Sequence, residues 1–266
     1  MINQPKSVFV FDLDGVITDP KDSQVNEAVI DKMYQVLESG DPLAINTGRS
    51  FDWVEKNLVS RLKARQNEEI FQRFIVACEK GGETIAWQGS EPLITPSEFA
   101  LSNSLYERAR ECFEKNESKL QTMFWDETKR TMATVEKKPA ANLDIFHEEQ
   151  QLLVDVLTDN LAGYGVRIDA TTIATDVELP AAGKHAGASL IFQWMQTYYP
   201  SYTAYISIGD SVSDYEMARY FADHGEQSTF VYVGKPTDKI DQDQRTKLVT
   251  TTEHYTAGVL EYFSEV

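Results

Sequence analysis

Residues Ser7–Thr18 read SVFVFDLDGVIT, an apolar run that breaks into two aspartates separated by one leucine and followed at once by glycine. Val8-Phe9-Val10-Phe11 is β-branched and aromatic with no polar alternation, which is how a strand buried on both faces of a parallel sheet reads. In such sheets functional groups collect at the carboxyl ends of the strands. Extended geometry carried through the motif turns Asp12 and Asp14 to the same side, because side chains alternate with period two. Two like charges held that close require a cation or a proton between them. Gly15 lets the chain turn sharply or lets a neighbour approach the backbone. The plainer reading is a strand leaving the sheet through a turn, since Asp and Gly are common turn formers. The rest of the chain has to decide between the two.

The chain of 266 residues is long enough for one large core or two smaller ones. Its 25 Lys and Arg stand against 42 Asp and Glu, a formal charge of -17. That balance argues against nonspecific binding to nucleic acid or to an anionic membrane, and an anionic substrate needs a local positive site. Two cysteines, Cys78 and Cys112, are too few for a disulfide framework and read as reduced, structural thiols. No basic segment followed by an apolar stretch begins the sequence, and no apolar run reaches the length of a membrane span. The expectation is a soluble cytoplasmic protein acting on a small molecule. Its oligomeric state has no signature in the sequence.

Strand-like runs at Ser7–Phe11, Pro42–Asn46 and Phe74–Cys78 alternate with helical patterns, which implies a parallel sheet with helices on its faces. Val25, Val29, Met33, Val36 and Leu37 fall on one helical stripe, and a second helix runs from Phe51 to about Leu62 with Ser50 or Asp52 as a cap. After Gly81-Gly82 the pattern changes. Short strands at Glu83–Trp87 and Pro92–Ile94 lead into a helix over Ser97–Lys119, then strands at Gln121–Asp126 and Thr131–Lys137. A helix over Leu143–Leu161 follows, with strands at Val166–Ala170 and Thr172–Leu179. From Gly183 the alternation of helix and strand returns, with helices over His185–Tyr199, Ser213–Phe221 and His254–Phe263 and strands at Ala204–Ile208 and Thr229–Val233. The chain therefore builds one α/β core, leaves it for an inserted α+β domain, and returns, an arrangement that suits a cleft closed by a cap.

Two further strand ends carry polar groups. Asn46-Thr47-Gly48-Arg49 sets a hydroxyl and a guanidinium just before a helix N-terminus, a place suited to an oxyanion. Thr47 and Ser50 read equally as helix caps. Gly209-Asp210-Ser211-Val212-Ser213-Asp214 is again an apolar strand breaking into carboxylates, where hard oxygen ligands can meet a divalent cation or simply cap a helix. Lys184 precedes the helix that restarts the core. Three such strand ends in one α/β core converge on one crevice, so a shared active site outweighs three independent turns.

These four segments, DLDGVIT at Asp12–Thr18, NTGRS at Asn46–Ser50, Lys184 and GDSVSD at Gly209–Asp214, resemble in order the four motifs of the haloacid-dehalogenase-like (HAD) phosphohydrolases. The insertion lies where members with the second type of cap carry an α+β lid, as in Cof-type sugar phosphatases, sucrose-phosphate and trehalose-phosphate phosphatases and phosphomannomutases. Glu79–Ile85 resembles the segment leading into that cap, with Lys80-Gly81 where Asn-Gly is usual. The core resemblance covers roughly residues 5–83 and 178–234, and one departure follows Lys184, where His185 replaces the usual glycine and Gly187 comes two residues later. The resemblance implies a Rossmann-like core over 1–83 and 180–266 and a cap over 84–179.

The resemblance also implies roles. Asp12 is the nucleophile that forms an aspartyl-phosphate, and Asp14 is the general acid and base. Thr47, Gly48 and Lys184 bind the phosphoryl oxygens, and Arg49 is either a further phosphate ligand or a core ion pair. Mg²⁺ is held by Asp12, the carbonyl of Asp14 and Asp210, with Asp214 ordering bound water or Lys184. Trp125, Lys129, Arg130, Lys137 and Lys138 are the basic and aromatic groups of the insertion that suit a sugar or a second phosphate. The expected reaction is hydrolysis of a small phosphomonoester, a sugar phosphate by analogy of cap type. The alternatives are a sugar phosphomutase with the same two aspartates and a non-catalytic binding or regulatory protein on the same fold.

Overall fold

Val8 and Val10 of β1 (Lys6–Phe11) pack into one apolar cluster and Phe9 and Phe11 into another, so the strand is covered on both sides. That is why its sequence carries no polar alternation. The computed structural model describes residues 6–21, 23–235 and 240–265. They divide between two units, Met1–Thr95 with Gly183–Val266 and Pro96–Ala182.

The larger unit holds an eight-stranded sheet in the order β12-β11-β10-β1-β2-β3-β4-β5. Its strands are β2 (Leu43–Asn46), β3 (Phe74–Cys78), β4 (Glu83–Gln88), β5 (Glu91–Pro96), β10 (Tyr202–Gly209), β11 (Gln227–Tyr232) and β12 (Thr246–Thr250), with β1 near the centre. From β12 to β3 all pairings are parallel, and β4 runs antiparallel to β3. On one face lie α1 (Glu27–Glu38), α8 (Thr256–Glu265), and the helix that starts as α2 (Phe51–Val54), passes through a π-helical turn at Glu55–Val59 and ends as α3 (Ser60–Lys63). Val29, Ile30, Met33, Leu37, Leu58 and Leu62 recur at helical spacing and meet Phe11, Ile45 and Val76 of the sheet. On the other face α6 (Lys184–Tyr198) and α7 (Tyr215–Asp223) bury Ile191, Met195 and Phe221 against Val8, Val10 and Ala44.

The smaller unit carries a four-stranded sheet in the order β6-β7-β9-β8, from β6 (Met123–Trp125), β7 (Ala133–Lys137), β8 (Arg167–Ala170) and β9 (Ala174–Glu178). All its pairings are antiparallel. Helices α4 (Asn103–Asn116) and α5 (Leu143–Asn160) cover one face, where Ala133, Val135 and Val177 meet Phe113, Phe146 and Leu153. By the period of two, Thr134, Asp176 and Glu178 point to the opposite face, where Thr134 donates to Asp176 at 2.8 Å and Arg167 pairs with Glu178.

Two differences from the sequence-based boundaries stand out. Residues 84–95, expected in the insertion, extend the large sheet as β4 and β5 and belong with the larger unit. Two short strands after a glycine pair give no local sign of which sheet they will join. β12 was not expected, because Thr-Lys-Leu-Val-Thr at a sheet edge has no continuous apolar run. Among the described residues no helix is long and apolar enough to cross a membrane.

Candidate active site

β1 ends at Phe11, and the backbone of Asp12 still donates to the Ile208 carbonyl of β10 at 2.9 Å. Beyond it the chain curls round the Leu13 carbonyl, which accepts from the amides of Ile17 at 2.9 Å and Thr18 at 3.0 Å. Because the strand has already ended, the period of two does not reach Asp14. The two aspartates are not a matched pair.

Asp12 is 7% exposed and its carboxylate meets the ammonium of Lys184. Lys184 also contacts Asp214 Oδ1 at 2.8 Å and donates to the Asn46 carbonyl at 2.9 Å. Two carboxylates and a backbone carbonyl thus surround the ammonium. Asp214, fully buried, is fixed from behind, where its Oδ2 accepts from the Ser211 amide at 3.0 Å and the Ser211 hydroxyl at 2.7 Å. Asp210 completes the cluster, and one carboxylate oxygen from each of Asp12, Asp210 and Asp214 lies within 4.8 Å of the others. The carboxylate of Asp210 occupies the space a side chain at residue 15 would need. Gly15, at φ +77°, is therefore required both for its turn and for that approach.

One ammonium does not neutralise three clustered acids. Burial, followed by the neighbouring carboxylates and against the pull of Lys184, pushes the Asp12 carboxyl up to about 8. Burial and then Asp214 raise Asp210 to about 6. For Lys184 burial works against the charge, but Asp12 and Asp214 hold it above the ordinary lysine range. The cluster thus has the composition of a hard-cation site, with oxygen donors and an excess of negative charge that a divalent ion would offset.

Asp14 pairs with Arg49. Its two oxygens accept from Arg49, Nε at 3.0 and 3.3 Å and Nη2 at 2.8 Å. The guanidinium lies 5.2 Å from the Trp53 ring centroid. Arg49 thus forms an ion pair with Asp14, and among the described residues Asp14 brings no carboxylate to the three-acid cluster. Thr47, 1% exposed, accepts from the Arg49 amide at 3.0 Å, and Gly48 follows it in the same loop. Ser50 is the helix cap, accepting from the Trp53 amide at 3.3 Å.

In the smaller unit the expected groups separate. Trp125 packs on Tyr106 and Phe113 on the helical face, with its indole N–H donating to the Tyr106 hydroxyl at 3.1 Å. Lys137 donates to the Lys138 and Ala141 carbonyls at 3.1 and 3.2 Å, and Lys138 to the Gln121 carbonyl at 2.8 Å. These lysines tie a turn together, a use that charge in the sequence does not reveal. Lys129 is buried, with its carbonyl accepting from the Tyr106 hydroxyl at 3.1 Å.

The solved structures with similar backbones include the C-terminal domain of Candida albicans trehalose-6-phosphate phosphatase. That match has a TM-score of 0.66 and 14% identity and covers 98% of this chain and 92% of that one. A haloacid dehalogenase-like hydrolase from Bacteroides thetaiotaomicron matches with a TM-score of 0.66 and 15% identity over 98% of this chain and 99% of that one. The fold is that of the haloacid-dehalogenase-like hydrolases. A trehalose-6-phosphate phosphatase of Aspergillus fumigatus shares it at a TM-score of 0.56 and 17% identity, covering 98% of this chain and 92% of that one. No protein-family model and no curated protein sequence matches the chain. In the haloacid-dehalogenase-like fold the carboxyl ends of β1, β2 and β10 lie side by side, which is how Asp12, Thr47 and Asp210 come to neighbour one another.

Sequence reasoning gave no role to Asn46, Ser211 or Gly187. The available signal was Asn46 itself, an amide ending an otherwise apolar strand.

Proposed function

We propose that the chain is a Mg²⁺-dependent phosphomonoester hydrolase acting on a small phosphorylated metabolite through an aspartyl-phosphate. The observation that carries this reading is Asp12, a buried carboxylate at a strand end, held by Lys184 beside the carboxylates of Asp210 and Asp214.

In this reading Asp12 attacks phosphorus, displacing the alcohol, and the covalent intermediate divides one difficult displacement into two. Asp14 gives a proton to the leaving oxygen and then takes one from the attacking water, so the same carboxyl serves first as acid and then as base. The Thr47 hydroxyl, the Gly48 backbone and Lys184 hold the phosphoryl oxygens, offsetting repulsion between a phosphate dianion and Asp12. Asp214 keeps Lys184 in place. Asp12, the carbonyl of Asp14 and Asp210 would hold Mg²⁺, which when bound supplies charge neutralisation at the crowded phosphorus.

The preferred substrate class is a sugar phosphate. Two of the similar solved proteins are trehalose-6-phosphate phosphatases. The test is phosphate release from a panel of sugar phosphates, nucleoside monophosphates and other phosphomonoesters, with Mg²⁺ and with chelator. Metal-dependent release supports the reading, and silence across the panel overturns it.

A further inference from the structure

We propose that Asn46 is the positioning residue of Lys184, and that residue 187 is glycine because the Asn46 amide occupies its side-chain space. The inference deepens the phosphohydrolase reading and rests on it. Asn46 is fully buried at the last position of β2. It holds Lys184 at two points: its Nδ2 donates to the Lys184 carbonyl at 2.7 Å, and its own carbonyl accepts from the Lys184 ammonium at 2.9 Å. The backbone and the head of the lysine are thereby tied to the same residue.

This double attachment does what the carboxylates do not. Asp12 and Asp214 attract the ammonium, but charge attraction is weakly directional and a lysine stem is flexible. Anchoring the carbonyl at the start of α6 fixes where that stem begins, and anchoring the ammonium fixes where it ends. Supporting contacts of this kind restrict the geometry of a reacting group.

The other end of the amide explains the glycine. A carbonyl only accepts, so the Lys184 carbonyl selects the NH₂ end of Asn46 and turns Oδ1 the opposite way. Oδ1 is buried with no hydrogen-bond partner among the described residues. It lies in the space a Cβ at residue 187 would fill, and the whole amide group would collide with one. Glycine is a poor helix former, yet Gly187 sits in the first turn of α6. The displaced glycine after Lys184 is thus the counterpart of Asn46, not a misplaced motif residue.

The experiment compares the unsubstituted protein with Asn46→Ala, Gly187→Ala and the double variant. Turnover of para-nitrophenyl phosphate with Mg²⁺ is measured together with calorimetric binding of inorganic phosphate and with Tm. Asn46→Ala is expected to lower kcat and phosphate affinity by about 10- to 100-fold, the usual range for a supporting contact. Gly187→Ala should do the same by expelling the amide. The double variant should be no worse than Asn46→Ala, because the new methyl enters space the amide has left.

If Asn46→Ala lowers Tm while kcat and phosphate affinity stay within about twofold, Asn46 only fills the core and the inference is overturned. Additive losses in the double variant overturn the pairing with Gly187. Should Asn46→Ala not fold, Asn46→Leu keeps the volume without the donor, and phosphate affinity equal to that of the unsubstituted protein overturns the inference. An unsubstituted protein that binds inorganic phosphate but hydrolyses no ester defeats the hydrolase reading alone, and the calorimetric comparison still decides the role of Asn46.

Discussion

Arg49 holds Asp14 with both arms of its guanidinium, Nε at 3.0 Å from one carboxylate oxygen and Nη2 at 2.8 Å from the other. Only arginine offers this planar fork. Arg49→Lys keeps the charge but not the grip, and kcat is expected to fall about tenfold or more with KM changed by less than about threefold. A rise in KM with kcat unchanged would instead make Arg49 a phosphate ligand. Steady-state kinetics on the best ester of the panel separates the two.

Asp12→Asn is expected to remove at least about a thousandfold of turnover, since an amide does not form the acyl-phosphate. Stability should not fall with it. Asp12 and Asp214 share one ammonium, and the substitution removes a buried acid whose carboxyl is already pushed up by burial, while Asp214 keeps Lys184 paired. A thermal melt showing Tm within a few degrees of the unsubstituted protein, or above it, checks this. Appreciable residual turnover would remove Asp12 from the nucleophile role.

Gly15→Ala should cost about 1–3 kcal/mol, from the φ of +77° alone. It should also push Asp210 out of the acid cluster, because a methyl at residue 15 collides with that carboxylate. The check is a denaturant titration paired with Mg²⁺ binding followed by calorimetry. Normal Mg²⁺ affinity in a destabilised variant would show that Asp210 does not depend on Gly15.

The metal-free protein should lose stability as pH rises from about 4 toward 8. Asp210 is raised from 3.8 to about 6 and Asp12 to about 8, so over this range the native state keeps protons that the unfolded chain has released. A raised acid contributes most below its unfolded value, and the contribution is lost as pH climbs through the folded value. Lysine stays charged in both states across this window, so it adds no slope. Mg²⁺ should flatten the profile by stabilising the ionised acids. Tm measured at pH steps in chelator and in Mg²⁺ tests the sign, and a metal-free profile that rises with pH would refute it.

The core fold was legible in the chain because its causes are local. A strand buried on both faces has to be apolar throughout, as Val8–Phe11 is, and helices on a sheet have to repeat apolar residues at helical spacing, as Val29, Met33 and Leu37 do. The positions of Asp12, Thr47 and Asp210 followed from the rule that parallel strands present their carboxyl ends together. Boundaries were less legible where the cause is not local. Residues 84–95 joined the large sheet by pairing beside β3, and β12 took its place at the far edge.

Partners were decided by tertiary structure. Whether Asp14 faces Asp12 or Arg49 depends on where β1 stops, and whether Lys137 faces a ligand or a backbone carbonyl depends on the turn that follows β7. The same holds for Asn46 and Gly187, which meet only because β2 and the start of α6 are brought together in the larger unit. Periodicity records which side of an element is buried. It carries no record of which distant atom arrives there, because that depends on strand order and on how the connecting chain crosses the sheet.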